Sequence, residues 1–240
     1  MEAELKLQSP KSLSDITLQQ YQKYVKIFNS WNKEDEEFIK IKMLQVFAGL
    51  KVEDTNKVPL DTFNSVIADI IDVLQDETPL VRKFTMNGFN KEGEATEVEF
   101  GFIYDLDKMT YGEFVDLQKY INNIQDLHKT MAVLYRPINH SKKEFYRIDD
   151  YEGSSKYSNV MKDAPLNVAL GAMVFFYRLM IELKTHTALY SHQKMMKEVK
   201  TPQDKLTLEE NGDSFNQYIL LQKETLRCMK RYPIPLYTRV

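Results

Sequence analysis

The sequence predicts an α+β fold that is mostly helical, a helical bundle with a central β-hairpin. Apolar residues recur at spacings of three and four along most of the chain, which is typical of amphipathic helices. Alternation with a period of two is confined to the stretch from Leu80 to Ile103, which indicates a pair of strands. From Ala164 to Leu183, apolar side chains lie on nearly every face, and such a segment predicts a helix that is covered on all sides.

These patterns divide the chain into three parts of one compact unit. The first part, residues 1–79, contains a short strand from Glu4 to Leu7 and three helices. The second part, residues 80–104, is the hairpin, whose tip from Asn87 to Gly93 is too long for a tight turn. The third part, residues 105–240, is a bundle around the apolar helix, residues 164–183.

Capping residues indicate where the three N-terminal helices begin and end. Ser14 or Asp15 is expected to cap the first helix, and Gly49 suits a left-handed cap at the end of the second. Pro59 is expected to begin the third helix. The first helix has an apolar face formed by Leu18, Tyr21, Val25 and Phe28. The second helix is expected at about residues 35–48 and the third at about residues 59–75.

A further helix is predicted from Tyr111 to about Tyr135. Thr110 and Glu113 have the spacing of a capping box at its start, and Pro137 is expected to stop it. The pair of asparagines at 122–123 is expected to divide it in two. The polar stretch 139–158 then predicts an ordered loop or a boundary, with a short strand at 146–148. The apolar stripe of the helix comprises Phe114, Leu117, Tyr120, Ile121 and Ile124.

The apolar helix is expected to lie in the core rather than in a membrane. Its longest apolar run, Val168 to Tyr177, is about half of the roughly 20 residues that a membrane span requires. Gly171 lies inside it, although glycine costs roughly 1 kcal/mol relative to alanine in a helix interior. We therefore expect another part of the chain, or another subunit, to approach the helix closely at Gly171.

Composition limits the partners and the compartment that can be expected. The chain has 240 residues, with 32 Lys and Arg against 35 Asp and Glu, so its formal charge is -3. This balance gives no reason to expect a specific nucleic-acid partner. A lone cysteine, Cys228, excludes an internal disulfide framework and fits a reducing compartment. Thirteen Phe, 14 Tyr and 11 Met offer much apolar surface for subunit contacts.

No strong catalytic or metal-binding motif is present in the sequence. His186 and His192 are six residues apart and so face different sides of a helix. Glu113, Asp116 and His128 could form an acid-base cluster if their helices pack together, but a capping glutamate, a surface aspartate and a core histidine explain them equally well. We therefore expect no enzyme activity, no cofactor and no metal, and keep a small hydrolase or metal enzyme that uses these three residues as an alternative.

Several segments carry a resemblance to a known group of proteins. They are Ser12 to Tyr24, Phe100 to Leu117, His128 to Pro137 and Pro165 to Phe176. In these segments the chain resembles proteins encoded among the virion and tail genes of tailed bacteriophages, including crAss-like phages of Bacteroides-like hosts. The N-terminal part, with Ile16-Thr-Leu and Phe47-Ala-Gly-Leu50, also resembles tail assembly chaperones.

The resemblance implies a non-enzymatic virion protein, either a structural component of the neck or tail region or packaged cargo. It implies manufacture in the host bacterial cytoplasm, location in the virion, and portal, neck or tail subunits as partners. A tail assembly chaperone is the alternative. We expect a homo-oligomer. The residues expected to make protein-protein contacts are Phe89, Gly171, Phe175, Phe176 and Tyr237.

Overall fold

The computed structural model describes residues 9–31, 35–89, 95–103, 108–142 and 145–178. It confirms an α+β fold in which helices predominate. The chain is divided into two compact units. Of the described residues, those from 9 to 172 belong to the first unit and those from 173 to 178 belong to the second. The expected strand at 4–7, most of the hairpin tip, residues 179–183 of the apolar helix and everything beyond them lie outside the described residues.

The three N-terminal helices are present close to their expected bounds. Asp35 caps the second, and Gly49 follows it with φ of 70°, as expected of a left-handed cap. The prediction that Ser14 or Asp15 caps the first helix is wrong. Thr17 does so instead, because Asp15 belongs to a separate short 3-10 helix whose start its own carboxylate caps. The helices are α1 (Leu18–Ser30), α2 (Glu36–Phe47) and α3 (Leu60–Gln75).

The central hairpin is half of a four-stranded antiparallel sheet. The strands lie in the order β1-β2-β3-β4, so each pairs with its neighbours along the chain. The first two strands form the predicted hairpin, with Lys83 opposite Gly101 and Met86 opposite Val98. The strands are β1 (Lys83–Phe89), β2 (Ala95–Phe102), β3 (Tyr135–Lys142) and β4 (Phe145–Ile148).

The helix predicted from Tyr111 to about Tyr135 is shorter and divided. The chain forms α4 (Tyr111–Tyr120) and α5 (Leu127–Leu134), which a break at the two asparagines separates as expected. The prediction that Pro137 ends the second helix is wrong. Tyr135 already begins β3, and Pro137 lies inside that strand, opposite Phe100. Residues 139–142, expected in the polar loop, also belong to β3, and the short strand expected at 146–148 is confirmed as part of β4.

The apolar helix begins at residue 166 and is helical to residue 178, the last described position. We call it α7, because the short helix α6 (Ser155–Ser158) precedes it. Its start is tied to the start of α1 by a small antiparallel bridge between Thr17 and Pro165. The Leu18 amide donates to the Ala164 carbonyl at 2.9 Å, and the Leu166 amide donates to the Ile16 carbonyl at 2.8 Å.

The first unit is built around one apolar interior. Aromatic rings from three strands meet there, with Phe84 stacked on Phe100 and with Phe102 edge-on to Tyr135. Tyr135 has no measurable exposure, and its hydroxyl donates to the Val81 carbonyl at 2.6 Å. No helix in the described ranges is long and apolar enough to cross a membrane.

Gly171 is where the loop after α3 touches α7. A Cβ at this position would overlap the Pro79 carbonyl oxygen and lie 3.0 Å from the Thr78 hydroxyl oxygen. That hydroxyl donates to the Asn167 carbonyl at 2.8 Å, which holds the loop against the helix. The expected close approach at Gly171 is thus confirmed, and it comes from this chain's own loop.

Replacement of Gly171 should therefore destabilise the fold. We expect Gly171→Ala to lower the free energy of unfolding by roughly 1 to 3 kcal/mol, because the backbone at Pro79 must move, and Gly171→Leu to lower it further. Urea unfolding monitored by circular dichroism measures the change. Gly112→Ala is the control, since its Cβ would meet only the Tyr151 ring at 3.8 Å; equal losses in both alanine variants would contradict the prediction.

Candidate functional site

A polar pocket of about 280 Å³ lies between the start of α4 and strands β3 and β4. Both the first turn of the helix and the loop after β4 contribute to its wall. Three of its residues are cationic and three are acidic, so the chemistry of the pocket depends on which charges already have partners. The lining residues are Lys108, Thr110, Glu113, Arg136, Tyr146, Arg147, Ile148, Asp149, Asp150 and Tyr151.

A buried ion pair forms the inner wall of the pocket. Arg136 Nη1 donates to Glu113 Oε1 at 2.5 Å, and the two residues are only 6% and 4% exposed. The other glutamate oxygen, Oε2, accepts from the Thr110 amide at 2.6 Å and from the Thr110 hydroxyl at 2.8 Å. The capping box predicted from the sequence is thus confirmed, and the same carboxylate also joins α4 to β3.

The partners of Glu113 keep its carboxylate ionised. Burial alone would raise the pKa of this group, since a low-dielectric site disfavours charge. Hydrogen bonds from the Thr110 amide, Arg136 and the Thr110 hydroxyl, together with the charge of Arg136, outweigh burial. The pKa of Glu113 therefore lies below its ordinary value of 4.5.

An aromatic side chain holds the guanidinium from one side. Arg136 lies over the Tyr151 ring, with 5.4 Å between the guanidinium carbon and the ring centroid. The Tyr151 hydroxyl donates to Asp116 Oδ2 at 2.5 Å, which attaches the ring to the next turn of α4. Burial and the neighbouring Asp116 carboxylate both raise the pKa of Tyr151 well above its usual value, so it stays protonated.

Arg136 has unused hydrogen-bonding capacity. Its Nε atom is buried and has no acceptor among the described residues. Buried donors are almost always paired, so an unpaired one in a pocket wall requires an explanation. Sequence reasoning missed Arg136 because its partners are distant along the chain. The available signal was an arginine directly after the apolar run from Met131 to Tyr135.

The outer rim of the pocket carries charges that are paired among themselves. Asp149 accepts from the Asn139 amide nitrogen at 3.2 Å and from the Tyr157 hydroxyl at 3.1 Å. Arg147 and Asp150 form an exposed pair at 3.8 Å. Asp149 and Asp150 at the rim are therefore already engaged in hydrogen bonds or an ion pair.

The three residues of the enzymatic alternative have different partners. Glu113 accepts hydrogen bonds from Arg136 and Thr110, and Asp116 accepts one from the Tyr151 hydroxyl. His128 lies half-buried on α5, with Nδ1 3.2 Å from Gln22 Nε2 on α1. Burial lowers the pKa of His128, and the charges of Lys162 and Lys129 lower it further, which favours a neutral ring. Within the described ranges, no three acidic, histidine or cysteine residues form a metal-binding group.

Helix α4 presents an apolar face to solvent that the sequence did not predict. Phe114 was expected in the inward stripe with Leu117, but only Leu117 is buried. Phe114 is 45% exposed, and Tyr111 and Val115, on adjoining positions of the helix, are 82% and 41% exposed. We call these three side chains the α4 face. The helix turns its other side inward because Glu113, not Phe114, reaches β3.

The residues expected to make protein-protein contacts lie in several places. Phe89 ends β1, Gly171 is buried, and Tyr237 lies outside the described residues. Of the other two, Phe176 is buried and Phe175 is partly exposed. The α4 face is thus an exposed aromatic surface that lies apart from these positions in the sequence.

Comparison with known proteins adds no relative. No family model matches the chain, and neither a curated protein nor a solved structure matches it.

Loss of one partner of the buried ion pair should be costly. Arg136→Met leaves the Glu113 carboxylate buried without its counter-charge, and we expect a loss of about 3 to 5 kcal/mol in the free energy of unfolding. The double variant Arg136→Met with Glu113→Leu removes both charges and should lose less than Arg136→Met alone. Urea unfolding of the three proteins checks this, and an equal or larger loss in the double variant would refute it.

The lowered pKa of Glu113 also predicts a pH dependence. A carboxylate with a lowered folded-state pKa stabilises the fold above its unfolded-state pKa, near 4.5, and this stabilisation is lost as pH falls through the lower folded-state value. When the pH is lowered from neutral to below 4.5, the free energy of unfolding of Glu113→Gln should therefore fall less than that of the wild type. Glu97→Gln, which removes an exposed glutamate on β2 outside this ion pair, is the control, and an equal effect in both variants would contradict the prediction.

Proposed function

We propose that this chain is a non-enzymatic component of a tailed-bacteriophage virion, at the neck or tail or as packaged cargo, and that it acts through protein-protein contacts. The phage assignment rests on the resemblance of the four segments that begin at Ser12, Phe100, His128 and Pro165. The contact role rests on an observation of the fold itself, the α4 face.

The α4 face has the properties of a protein contact surface. It places Tyr111, Phe114 and Val115 at positions i, i+3 and i+4, which neighbour one another on a helix. Aromatic side chains are enriched where subunits meet, since they offer large contact areas with few rotatable bonds. A partner that covers the face would remove two aromatic rings and a valine from water, a favourable change in free energy.

The helix that carries this face is held firmly before any partner binds. The Thr110 and Glu113 capping box fixes its first turn, and the ion pair to Arg136 attaches that turn to β3. Farther along the same helix, Asp116 is bound to Tyr151. A surface ordered in advance loses little conformational entropy on binding, which favours association.

The α4 face should be needed for assembly but not for folding. In phage that carry Tyr111→Ser with Phe114→Ser, we expect the number of copies per particle to fall at least several-fold, because the partner loses its apolar contact. Quantitative mass spectrometry of purified particles measures copy number, and urea unfolding should show a change within about 1 kcal/mol, since both side chains are exposed.

Leu60→Ser is the matched control for this experiment. Leu60 is 73% exposed at the start of α3, so its loss removes an exposed apolar side chain at a different place. The control should leave the copy number unchanged. Normal incorporation of the α4 double variant would overturn the role of the face, and an equal defect in Leu60→Ser would show that the effect is not specific to it.

Mass spectrometry of wild-type particles separates the proposed function from its alternative. A structural or cargo protein remains in the particle at a constant number of copies. A tail assembly chaperone leaves before the particle is complete, so it should be present in infected cells and absent from purified particles. Absence from the particle would thus reject the virion role in favour of the chaperone.

A further inference from the structure

We propose that His128 is an acid-sensitive switch. In its neutral form the ring accepts a hydrogen bond that holds α1 against the start of α5, and protonation of the ring breaks this contact. The inference goes beyond the proposed function, since it concerns how the first unit responds to pH and holds whether or not the protein belongs to a virion.

The first argument is the orientation of the Gln22 side chain on α1. Its amide nitrogen, Nε2, lies 2.8 Å from the Ile124 carbonyl oxygen and 3.2 Å from His128 Nδ1. A carbonyl oxygen can only accept, so the end of the amide beside it must be the nitrogen. Exchange of the two ends would place oxygen against oxygen. The orientation of this buried amide is therefore fixed by its backbone partner.

This orientation determines the protonation state that the contact requires. An amide nitrogen has two N–H donors and accepts no hydrogen bond. One donor goes to the Ile124 carbonyl, and His128 Nδ1 lies within hydrogen-bonding distance of the same nitrogen. Nδ1 must therefore accept, which requires a neutral ring with its proton on Nε2. A protonated ring has an N–H group on both nitrogens and would place donor against donor.

The second argument is that the surroundings of the ring disfavour its charged form. Burial lowers the pKa of His128 most, because a low-dielectric site disfavours charge. The positive charges of Lys162, in the 3-10 helix after α6, and of Lys129, on α5 itself, lower it further. From α1 the ring meets the uncharged amide of Gln22. Protonation therefore adds a positive charge beside two others.

Two groups act in the opposite direction. The Asp126 carboxylate and the Gln125 backbone carbonyl favour the protonated ring, but together they do not outweigh burial and the two lysines. Asp126 also accepts a hydrogen bond from Lys129 Nζ at 2.7 Å, so its charge is largely neutralised. The arrangement as a whole thus stabilises the neutral ring.

Loss of the contact should affect the packing of α1. Two hydrogen bonds join Gln22 to the 3-10 helix Ile124–Asp126: its side chain donates to the Ile124 carbonyl, and its backbone carbonyl accepts from Gln125 Nε2 at 3.0 Å. If the amide turns away from a protonated ring, the part-buried Ile124 carbonyl loses its donor, which costs free energy. We therefore expect acid to loosen α1 from the 3-10 helix and from α5.

Nitrogen NMR of the histidine rings in the full-length protein tests the protonation state directly. At neutral pH we expect His128 to have its proton on Nε2 and none on Nδ1. In a pH titration its ring should protonate below the ordinary pKa of 6.5. A neutral ring with its proton on Nδ1, or a pKa of His128 at or above 6.5, would overturn the proposal.

The pH dependence of stability tests the consequence. A histidine whose folded-state pKa is lowered stabilises the fold above its unfolded-state pKa, near 6.5, and this stabilisation is lost as pH falls through the folded-state value. His128→Asn keeps an acceptor near the position of Nδ1 but does not titrate. From about pH 7.5 to about pH 5, the unfolding equilibrium constant of the wild type should rise at least about twofold more than that of His128→Asn.

His140→Asn is the matched control, because it removes an exposed histidine of β3 by the same substitution. This variant should keep the wild-type pH response in urea unfolding. If His128→Asn also keeps that response, or if both variants lose it equally, His128 is not the switch.

Hydrogen exchange followed by mass spectrometry locates the effect. Amides of α1 in the wild type should exchange faster relative to those of His128→Asn as the pH falls, by at least several-fold at about pH 5. Comparison of the two proteins at the same pH removes the effect of pH on intrinsic exchange. A ratio that does not change with pH would reject the loosening of α1. If His128→Asn does not fold, the proton position and the pKa measured on the wild-type ring still decide the proposal.

Discussion

The buried ion pair between Glu113 and Arg136 holds in place the helix that carries the α4 face. The same carboxylate caps α4, joins this helix to β3 and forms the inner wall of the pocket. Charges this deeply buried lose much of their hydration, so such a pair persists only when further hydrogen bonds and good geometry compensate. Thr110 provides the hydrogen bonds to the glutamate, and the Tyr151 ring supports the guanidinium. The orientation of α4, and hence the exposure of its apolar face, follows from this arrangement.

The features that the sequence predicted are those that local interactions decide. The three N-terminal helices, the capping box at Thr110 and the left-handed residue Gly49 all depend on residues within a few positions of one another. The β1-β2 hairpin was visible for the same reason, since alternation marks both strands. Gly171 shows that a residue with low helix propensity can also indicate a contact with a distant segment. The sequence does not say which segment makes that contact.

The features that the sequence did not predict depend on contacts between distant segments. Apolar residues continue from α5 into Tyr135, so the pattern extends the helix to Pro137, and only pairing with β2 makes the segment after Leu134 a strand. Arg136 becomes part of a site only because that strand places it opposite Glu113. Phe114 faces outward for a related reason, since the inward position on that turn is occupied by a carboxylate whose partner belongs to another element. Propensity and periodicity contain none of this information.

The bridge between Thr17 and Pro165 has a consequence for how the protein is made. Contacts between segments about 150 residues apart slow folding, because a long loop must close before they form. A ribosome adds roughly 5 to 20 residues per second, so α1 waits on the order of 10 seconds before its partner segment is synthesised. During that time Leu18 and Ile16, both fully buried in the finished protein, lack the amide and carbonyl partners that residues 164–166 provide. The nascent N-terminal helices are thus exposed to chaperones and to other chains until translation has passed the start of the apolar helix.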